Sequence, residues 1–370
     1  MLCVRGGSMN RNRPSGHLLD KLRPTRRLCV RTARFQLAQA LGQKATDSDP
    51  DRPIGNQISF QPLRVKGFAN RRNDLCLSLH EGIVAYIQNR RRFVYHVRMT
   101  NATLGGYRLG SVALFAAIHL AVLTVFLVPF RWGLIAWLVG SYFLRMFGVT
   151  AGYHRYFSHR SYQLSRIPQF IMGFLAQTSG QKGVLWWASH HRVHHRNSDK
   201  ENDIHSPVRR GFFWSHVGWV ISNDYDEYDE KLIIDFSKFP ELRWLNRFHL
   251  VSIIVYGAAI LAIGGVDAFV WGFVLSTVLL YHGSFSINSL AHLFGTRRFE
   301  TGDDSRNNFW LALITMGEGW HNNHHFSLSS ARQGYRWWEI DLTYYVLKVL
   351  SWARIARGLR PFRTPKQTAA

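Results

Sequence analysis

Four apolar segments constrain the fold of this chain more than any other feature of its sequence. Each has the roughly 17–25 residues that a helix needs to cross a bilayer. A very short turn follows the first segment and another follows the third, so the segments in each pair must run antiparallel. The pattern predicts an all-α integral membrane protein with four transmembrane helices in two hairpins, at residues 109–130, 132–149, 250–266 and 268–287. The alternative is a soluble α-protein in which these are buried helices.

Basic residues predict on which side of the membrane the rest of the chain lies. Two hairpins place residues 150–249 and the chain after residue 288 on one side, and most of the arginines near the segments, such as Arg155, lie on that side. The two short turns carry only Arg131 and Asp267. Because positively charged loops stay in the cytoplasm, we expect a cytoplasmic helical domain that caps four helices in the inner membrane of a cell.

The first 98 residues differ in composition from the rest of the chain. They hold 19 Lys and Arg against 6 Asp and Glu, and all three cysteines. This composition predicts a disordered Arg-rich leader, or translation that begins at Met99, followed by a membrane domain over residues 99–360 and a tail over 361–370. Because no cysteine follows Met99, thiolate metal sites and cysteine nucleophiles are excluded from the membrane domain. No nucleic-acid partner is predicted.

Histidines recur in clusters with the spacing of metal ligands. Two clusters place histidines at i, i+3 and i+4, which on a helix brings three imidazoles to one face. A further pair follows the second apolar segment. The clusters consist of His191, His194 and His195, of His321, His324 and His325, and of His154 and His159. Their repetition beside apolar segments predicts a histidine-rich metal site.

Eight histidines are more than one metal ion needs, so the clusters predict two metal ions. Asn288 and His292, at i and i+4 near the end of the fourth segment, are further candidates. Imidazole suits iron, zinc and copper alike. Since the site adjoins an apolar bundle, a redox metal acting on a hydrocarbon chain fits better than a hydrolytic zinc ion. The other histidines are interpreted as structural or supporting, although His282, inside an apolar helix, is a candidate for function.

The motifs, in their order and spacing, resemble those of the membrane fatty acyl-CoA desaturases, of the stearoyl-CoA or delta-9 type in a bacterial style. The resemblance extends from about Leu104 to Leu359. The motifs that carry it are Gly148 to His159, His191 to His195, Asn288 to His292, and Gly317 to His325.

The resemblance implies a di-iron enzyme that uses O2 and two external electrons to place a cis double bond, at position nine, in a saturated acyl-CoA. It implies that Asn288 acts through a bound water. The two irons would be held by His154, His159, His191, His194, His195, His292, His321, His324 and His325.

Two departures from the family pattern leave alternatives open. No haem domain fits in the short tail, so a ferredoxin- or rubredoxin-like donor with an NAD(P)H reductase is implied. Asn223 and Asp224 stand where the animal acyl-CoA enzymes carry a basic pair, which keeps phospholipid-bound acyl chains as an alternative substrate. A lipid hydroxylase with the same site is a second alternative. A membrane metal carrier is a third, from another functional class.

Five residues are predicted to contact the substrate. Arg209 and Arg210 are candidates for binding a phosphate-bearing headgroup, and Trp187 for lining an acyl tunnel. Tyr142 and Phe143 lie about three turns before His154, roughly 16–18 Å below it on a helix. At that depth they are candidates for closing the tunnel.

Overall fold

The computed structural model describes residues 103–104 and 106–363, so the predicted leader and residues 364–370 lie outside the described residues. The described chain is mostly helical, with one short antiparallel hairpin of β1 (Thr103–Leu104) and β2 (Tyr107–Arg108). The α-helices are, in chain order, α1 Leu109–Ala121, α2 Trp132–Phe147, α3 Arg166–Gln177, α4 Val184–Asn197, α5 Pro207–Arg210, α6 Trp219–Ile221, α7 Ile234–Ser237, α8 Pro240–Arg247, α9 Leu250–Ala268, α10 Ser276–Ser289, α11 Phe309–Ile314, α12 His321–Phe326 and α13 Leu342–Trp352.

Several α-helices continue in a tighter or wider helical form. α1 runs on as a 3-10 helix to Leu127, and helical structure stops before Pro129, which disfavours helix at the preceding residue. The wider continuation of α2 is a π-helix, Gly148–Ser158, so this helix passes the predicted end at Val149. Short 3-10 and π elements elsewhere are Trp214–Gly218, Glu230–Ile233, Phe269–Leu275 and Leu290–His292.

The third and fourth apolar segments form helices that meet at Gly265, where the backbone is not helical and the chain reverses. The φ of Gly265 is 72°, a left-handed value that glycine adopts without a steric penalty. A Cβ at Gly257 would lie 3.0 Å from the ring of Phe273. On a straight helix these two residues would be about 24 Å apart, so α9 and α10 pack antiparallel as a hairpin.

Three helical runs of the described chain are long and apolar enough to cross a bilayer, judged by length and composition. They are Leu109–Leu127, Trp132–Ser158 and Leu250–His292. Because the last run contains the reversal at Gly265, it supplies two of the four predicted segments. The length and apolar character of these helices are those of a membrane-associated protein.

Polar contacts join the two pairs of apolar helices. Arg145, the one charged residue within the second segment, is fully buried. Its guanidinium donates to Thr277 Oγ1 at 2.7 Å and to Ser276 Oγ at 2.6 Å on α10. Arg131 and Asp267 form an ion pair between the turn that precedes α2 and the end of α9, just after Gly265. A buried charge is tolerated only with such partners, so these contacts fix α2 against α10.

The π-helical extension of α2 is surrounded by other helices. All eleven of its residues are buried, and α3 and α4 pack on it. A Cβ at Gly148 would lie 2.8 Å from the carbonyl oxygen of Leu175 on α3, so only glycine permits this approach. The start of α4 is held by Asn246 Oδ1, which accepts from the backbone N–H groups of Leu185 and Trp186 at 3.0 Å. These contacts position the extension, which carries His154, and α4, which carries His191, His194 and His195.

Candidate metal centre

The nine predicted histidines assemble into two adjacent clusters. In each cluster, one ring nitrogen from every histidine lies within 4.8 Å of the others. The first cluster joins the α2 extension, α4 and α12, and the second joins α4, α12 and the 3-10 turn after α10. The first cluster consists of His154, His159, His191, His195 and His324, and the second of His194, His292, His321 and His325.

Each of the two repeated motifs contributes histidines to both clusters. On α4, His191 and His195 belong to the first cluster and His194 to the second. On α12 the assignment is reversed, because His321 and His325 belong to the second cluster and His324 to the first. Residues i and i+4 differ by only about 40° around a helix, so they share a cluster while the middle histidine faces the other one.

The spacing of the ring nitrogens fits bound metal ions. Nε2 of His191 lies 2.9 Å from Nε2 of both His159 and His195. Nε2 of His324 lies 3.0 Å from Nε2 of both His154 and His195. A ring nitrogen carries either one proton or one lone pair, so hydrogen bonds alone cannot satisfy two such neighbours. Ligands at right angles around a metal, with bonds of about 2.1 Å, would lie about 3.0 Å apart.

The second cluster repeats this spacing. Nε2 of His321 lies 3.0 Å from Nε2 of His292 and 3.1 Å from Nε2 of His325. Nε2 of His194 is buried and has no hydrogen-bond partner. A buried nitrogen without a partner is costly unless it binds a ligand. The donor set and its geometry therefore fit two metal ions held by imidazoles.

Four carboxylates hold the opposite ring nitrogens of the histidines. Each accepts from a histidine Nδ1, which leaves Nε2 with its lone pair directed into a cluster. The pairs are His154 with Glu318 at 2.5 Å, His194 with Asp203 at 2.9 Å, His292 with Asp199 at 2.8 Å, and His325 with Asp303 at 2.7 Å. Sequence reasoning missed these acids. The available signal was their position, since Glu318 precedes one histidine motif, and Asp199 and Asp203 directly follow another.

Burial and the carboxylates set the protonation states of the centre. Burial, with a smaller contribution from neighbouring imidazoles, lowers the pKa of His191 and His195 well below its usual value. These rings are therefore neutral, as metal ligands must be. Burial raises the pKa of Asp199, but the hydrogen bond and charge of His292 outweigh it and lower the pKa to about 2. Asp199 is therefore an ionised acceptor at neutral pH.

A small pocket of about 60 Å³ adjoins both clusters. Met146, Val149, Trp187 and Phe285 supply apolar side chains to its wall. The ring of Trp187 stacks on those of Tyr153 and His191, and its contact with an acyl chain stays a prediction. Asn288 also lines the pocket, together with His194 and His321. That position is consistent with the predicted role of Asn288, which stays a prediction.

The other predicted substrate residues lie near the pocket and contact protein groups. Tyr142 donates from its hydroxyl to the carbonyl of Ile314 at 2.8 Å, and Phe143 packs edge-on against its ring. Neither residue lines the pocket. Arg209 donates to the carbonyl of Asp199 at 2.9 Å, and Arg210 lies over the ring of Trp214. The predicted contacts of these residues with substrate stay predictions.

Three histidines outside the clusters form a chain across three elements. His282 on α10 contacts His119 on α1 through Nε2 and His216 through Nδ1, both at 3.0 Å. His216 Nδ1 lies 2.9 Å from the hydroxyl of Ser289. The polar character of His282 in an apolar helix is thus explained by polar partners.

Comparisons with known proteins agree with this geometry. Residues 133–351 match the family model described as fatty acid desaturase. An sn-1 stearoyl-lipid 9-desaturase of Anabaena variabilis is 34% identical over 254 residues, 66% of this chain and 91% of that protein. An acyl-CoA 5-desaturase of Anemone leveillei is 36% identical over 58% of this chain and 68% of its own length. A palmitoyl-monogalactosyldiacylglycerol delta-7 desaturase of Arabidopsis thaliana is 33% identical over 70% of this chain and 71% of its own length.

Proposed function

Because the chain belongs to the fatty acid desaturase family, we propose that it places a cis double bond, at position nine, in a saturated long-chain acyl group. The observation that carries the proposal is the pair of histidine clusters beside an apolar pocket. The nine histidines would hold two irons, which would supply the chemistry for the O2-dependent oxidation of two adjacent methylenes. The balanced reaction consumes O2, two electrons and two protons, and it releases two waters.

The protein's own residues prepare the centre for this chemistry. Glu318, Asp203 and the two other acids accept from Nδ1 of His154, His194, His292 and His325, so that these four rings direct Nε2 into the clusters. Met146, Val149 and Phe285 supply apolar side chains that would contact the methylenes. Holding the reacting carbons beside the clusters is the main contribution of the pocket wall.

The carrier of the acyl chain has two candidates. Acyl-CoA is the first, on the resemblance of the motifs, with Arg209 and Arg210 near the headgroup. The second is a phospholipid, favoured by Asn223 and Asp224 in place of a basic pair. Relatives named for acyl-lipid and for acyl-CoA substrates have similar identity to this chain.

The apolar helices and the basic flanks support a location in the inner membrane with four spans and the centre on the cytoplasmic side. On that side, a ferredoxin- or rubredoxin-like protein, reduced through an NAD(P)H reductase, would deliver the electrons. Membership of an oxidoreductase family favours this function over a membrane metal carrier.

Gas chromatography of the fatty acids from a host that expresses the chain tests the proposal. We expect a new monounsaturated acid with its double bond at position nine, absent when His194→Ala is expressed at the same level. A hydroxylated acid as the main product would favour the hydroxylase. An unchanged fatty acid profile, from a protein that holds iron and receives electrons, would contradict the proposed function.

A further inference from the structure

A second and larger cavity, of about 780 Å³, lies between α1, α9 and α10. This volume is in the range of sites that hold a small molecule or a lipid tail. Its walls are apolar along most of their length, with Phe115 from α1, Ile253 and Leu261 from α9, and Phe273 from the π element before α10 among them. The cavity therefore offers an apolar ligand a site formed by three of the apolar helices.

The charged residues of this cavity gather at one end. Arg108 and Lys182 lie there and share the carboxylate of Asp226, at 2.5 and 3.4 Å. From Leu250, at this end, the cavity follows α9 as far as Leu261, about 16 Å along the helix. That depth is about half of a bilayer core of roughly 30 Å. The cavity thus has the dimensions of one leaflet, with cations at the depth of the headgroups.

One wall of the cavity is open, and the opposite wall is closed. Leu114 and Ile254 line the open wall and are 62% and 64% exposed, on surfaces that would face lipid. On the α10 side, Thr277 and Phe285 are buried. A lipid tail could enter sideways between α1 and α9 without passing through water.

The closed side of the cavity borders the pocket at the metal centre. Both spaces are lined by Gln181, Trp186, Val220 and Phe285. Gln181 donates to Ser284 Oγ at 2.7 Å and accepts from Trp187 Nε1 at 3.4 Å. The partition is therefore one layer of side chains held by a side-chain hydrogen bond. The pocket itself, at about 60 Å³, is too small for a long acyl chain.

We propose that this cavity binds an acyl chain of a membrane phospholipid and passes it sideways through the partition to the metal centre. The cations at the rim bind the phosphate, and the apolar walls bind the tail. This inference rests on the proposed function, because it names the carrier of the acyl group that the centre oxidises.

Ala258 and Ala259 on α9 provide a matched pair of variants. Both are exposed neighbours, but only Ala258 lines the cavity. Ala258→Trp fills the cavity, Ala258→Leu fills it in part, and Ala259→Trp adds the same bulk outside it. Each purified protein is first checked for an iron content equal to that of the wild type. If Ala258→Trp fails this check, Ala258→Leu takes its place.

The enzymes are reconstituted with ferredoxin, ferredoxin reductase and NADPH. One set of vesicles contains distearoyl-phosphatidylglycerol in dioleoyl-phosphatidylcholine. The other contains dioleoyl-phosphatidylcholine alone, with stearoyl-CoA added. We expect the wild type to oxidise the phosphatidylglycerol directly. Ala258→Trp should slow this by about tenfold or more, Ala258→Leu by less, and Ala259→Trp by less than about twofold.

Bound lipid gives a readout that does not depend on turnover. After detergent washing, mass spectrometry should find phosphatidylglycerol on the wild type and on Ala259→Trp, and little on Ala258→Trp. Equal retention and equal rates in the two tryptophan variants would overturn the inference, as would a wild type that oxidises only stearoyl-CoA. If neither carrier is oxidised, the proposed function fails, while lipid lost only from Ala258→Trp would still establish the binding site.

Discussion

Helix α1 and the π-helical extension of α2 are both parts of long apolar helices, yet their surroundings are opposite. No residue of α1 is buried, whereas every residue of Gly148–Ser158 is buried. α1 has to be apolar and helical, because its main neighbour would be lipid. The extension must also fit α3 and α4 and direct His154 at another histidine. Tolerance to substitution should therefore differ sharply between the two regions.

The largest difference is expected for their histidines. His154→Ala removes a ligand whose Nε2 lies 3.0 Å from that of His324, so activity should disappear and iron content should fall. His119→Ala on α1 removes a half-buried ring outside both clusters and should leave iron content unchanged. Iron analysis and product chromatography on both variants check this. Full iron in His154→Ala would remove that residue from the set of ligands.

Substitutions of the carboxylates that hydrogen-bond to the clustered histidines should also weaken metal binding. Asp203→Asn keeps the shape but loses the charge that holds Nδ1 of His194 at 2.9 Å. Losing such a partner typically costs about 10–100-fold in metal affinity or activity. Glu300→Gln, at a side chain that is 96% exposed, is the control and should behave as wild type. Metal titration of the iron-free proteins measures the difference, and equal affinities would argue against a supporting role for Asp203.

Two glycines test packing without touching the centre. Gly148→Ala places a methyl 2.8 Å from a backbone oxygen of α3 and should destabilise the protein by about 1–3 kcal/mol. Gly110→Ala on α1 has open space around the new methyl, so stability should stay unchanged or rise by up to about 0.5 kcal/mol. Thermal unfolding in one detergent compares them. Equal midpoints would show that the extension is packed no more tightly than α1.

The smallest effect is expected for residues of α2 that are neither as exposed as α1 nor as buried as the extension. Tyr142 and Phe143 are partly buried against the core, below the pocket wall at Met146. If they close the path of the acyl chain, then at least one of Tyr142→Ala and Phe143→Ala should shift preference towards longer chains, with bond position unchanged. Competition between saturated substrates of different length measures the shift. If both variants use substrates of different length in the same ratio as the wild type, the residues that close the tunnel should be sought on α10.

The sequence alone determined the apolar segments and the histidine motifs, because both depend on local spacing. An apolar run of sufficient length forms a helix wherever it lies, and i, i+3 and i+4 share a helix face whatever packs against it. For the same reason, the fatty acid desaturase family could be predicted from the motifs before any contact was known.

Only the tertiary structure decided which partners those histidines meet. His194 joins His292 and His321, about 100 residues further along the chain, because folding brings α4, α12 and the turn after α10 together at the second cluster. Asp203 and Glu318 become ligand supports because folding buries them beside a ring nitrogen. The lipid-sized cavity likewise exists only where α1, α9 and α10 leave a gap. Contacts between distant parts of a chain depend on packing, which no local pattern of residues encodes.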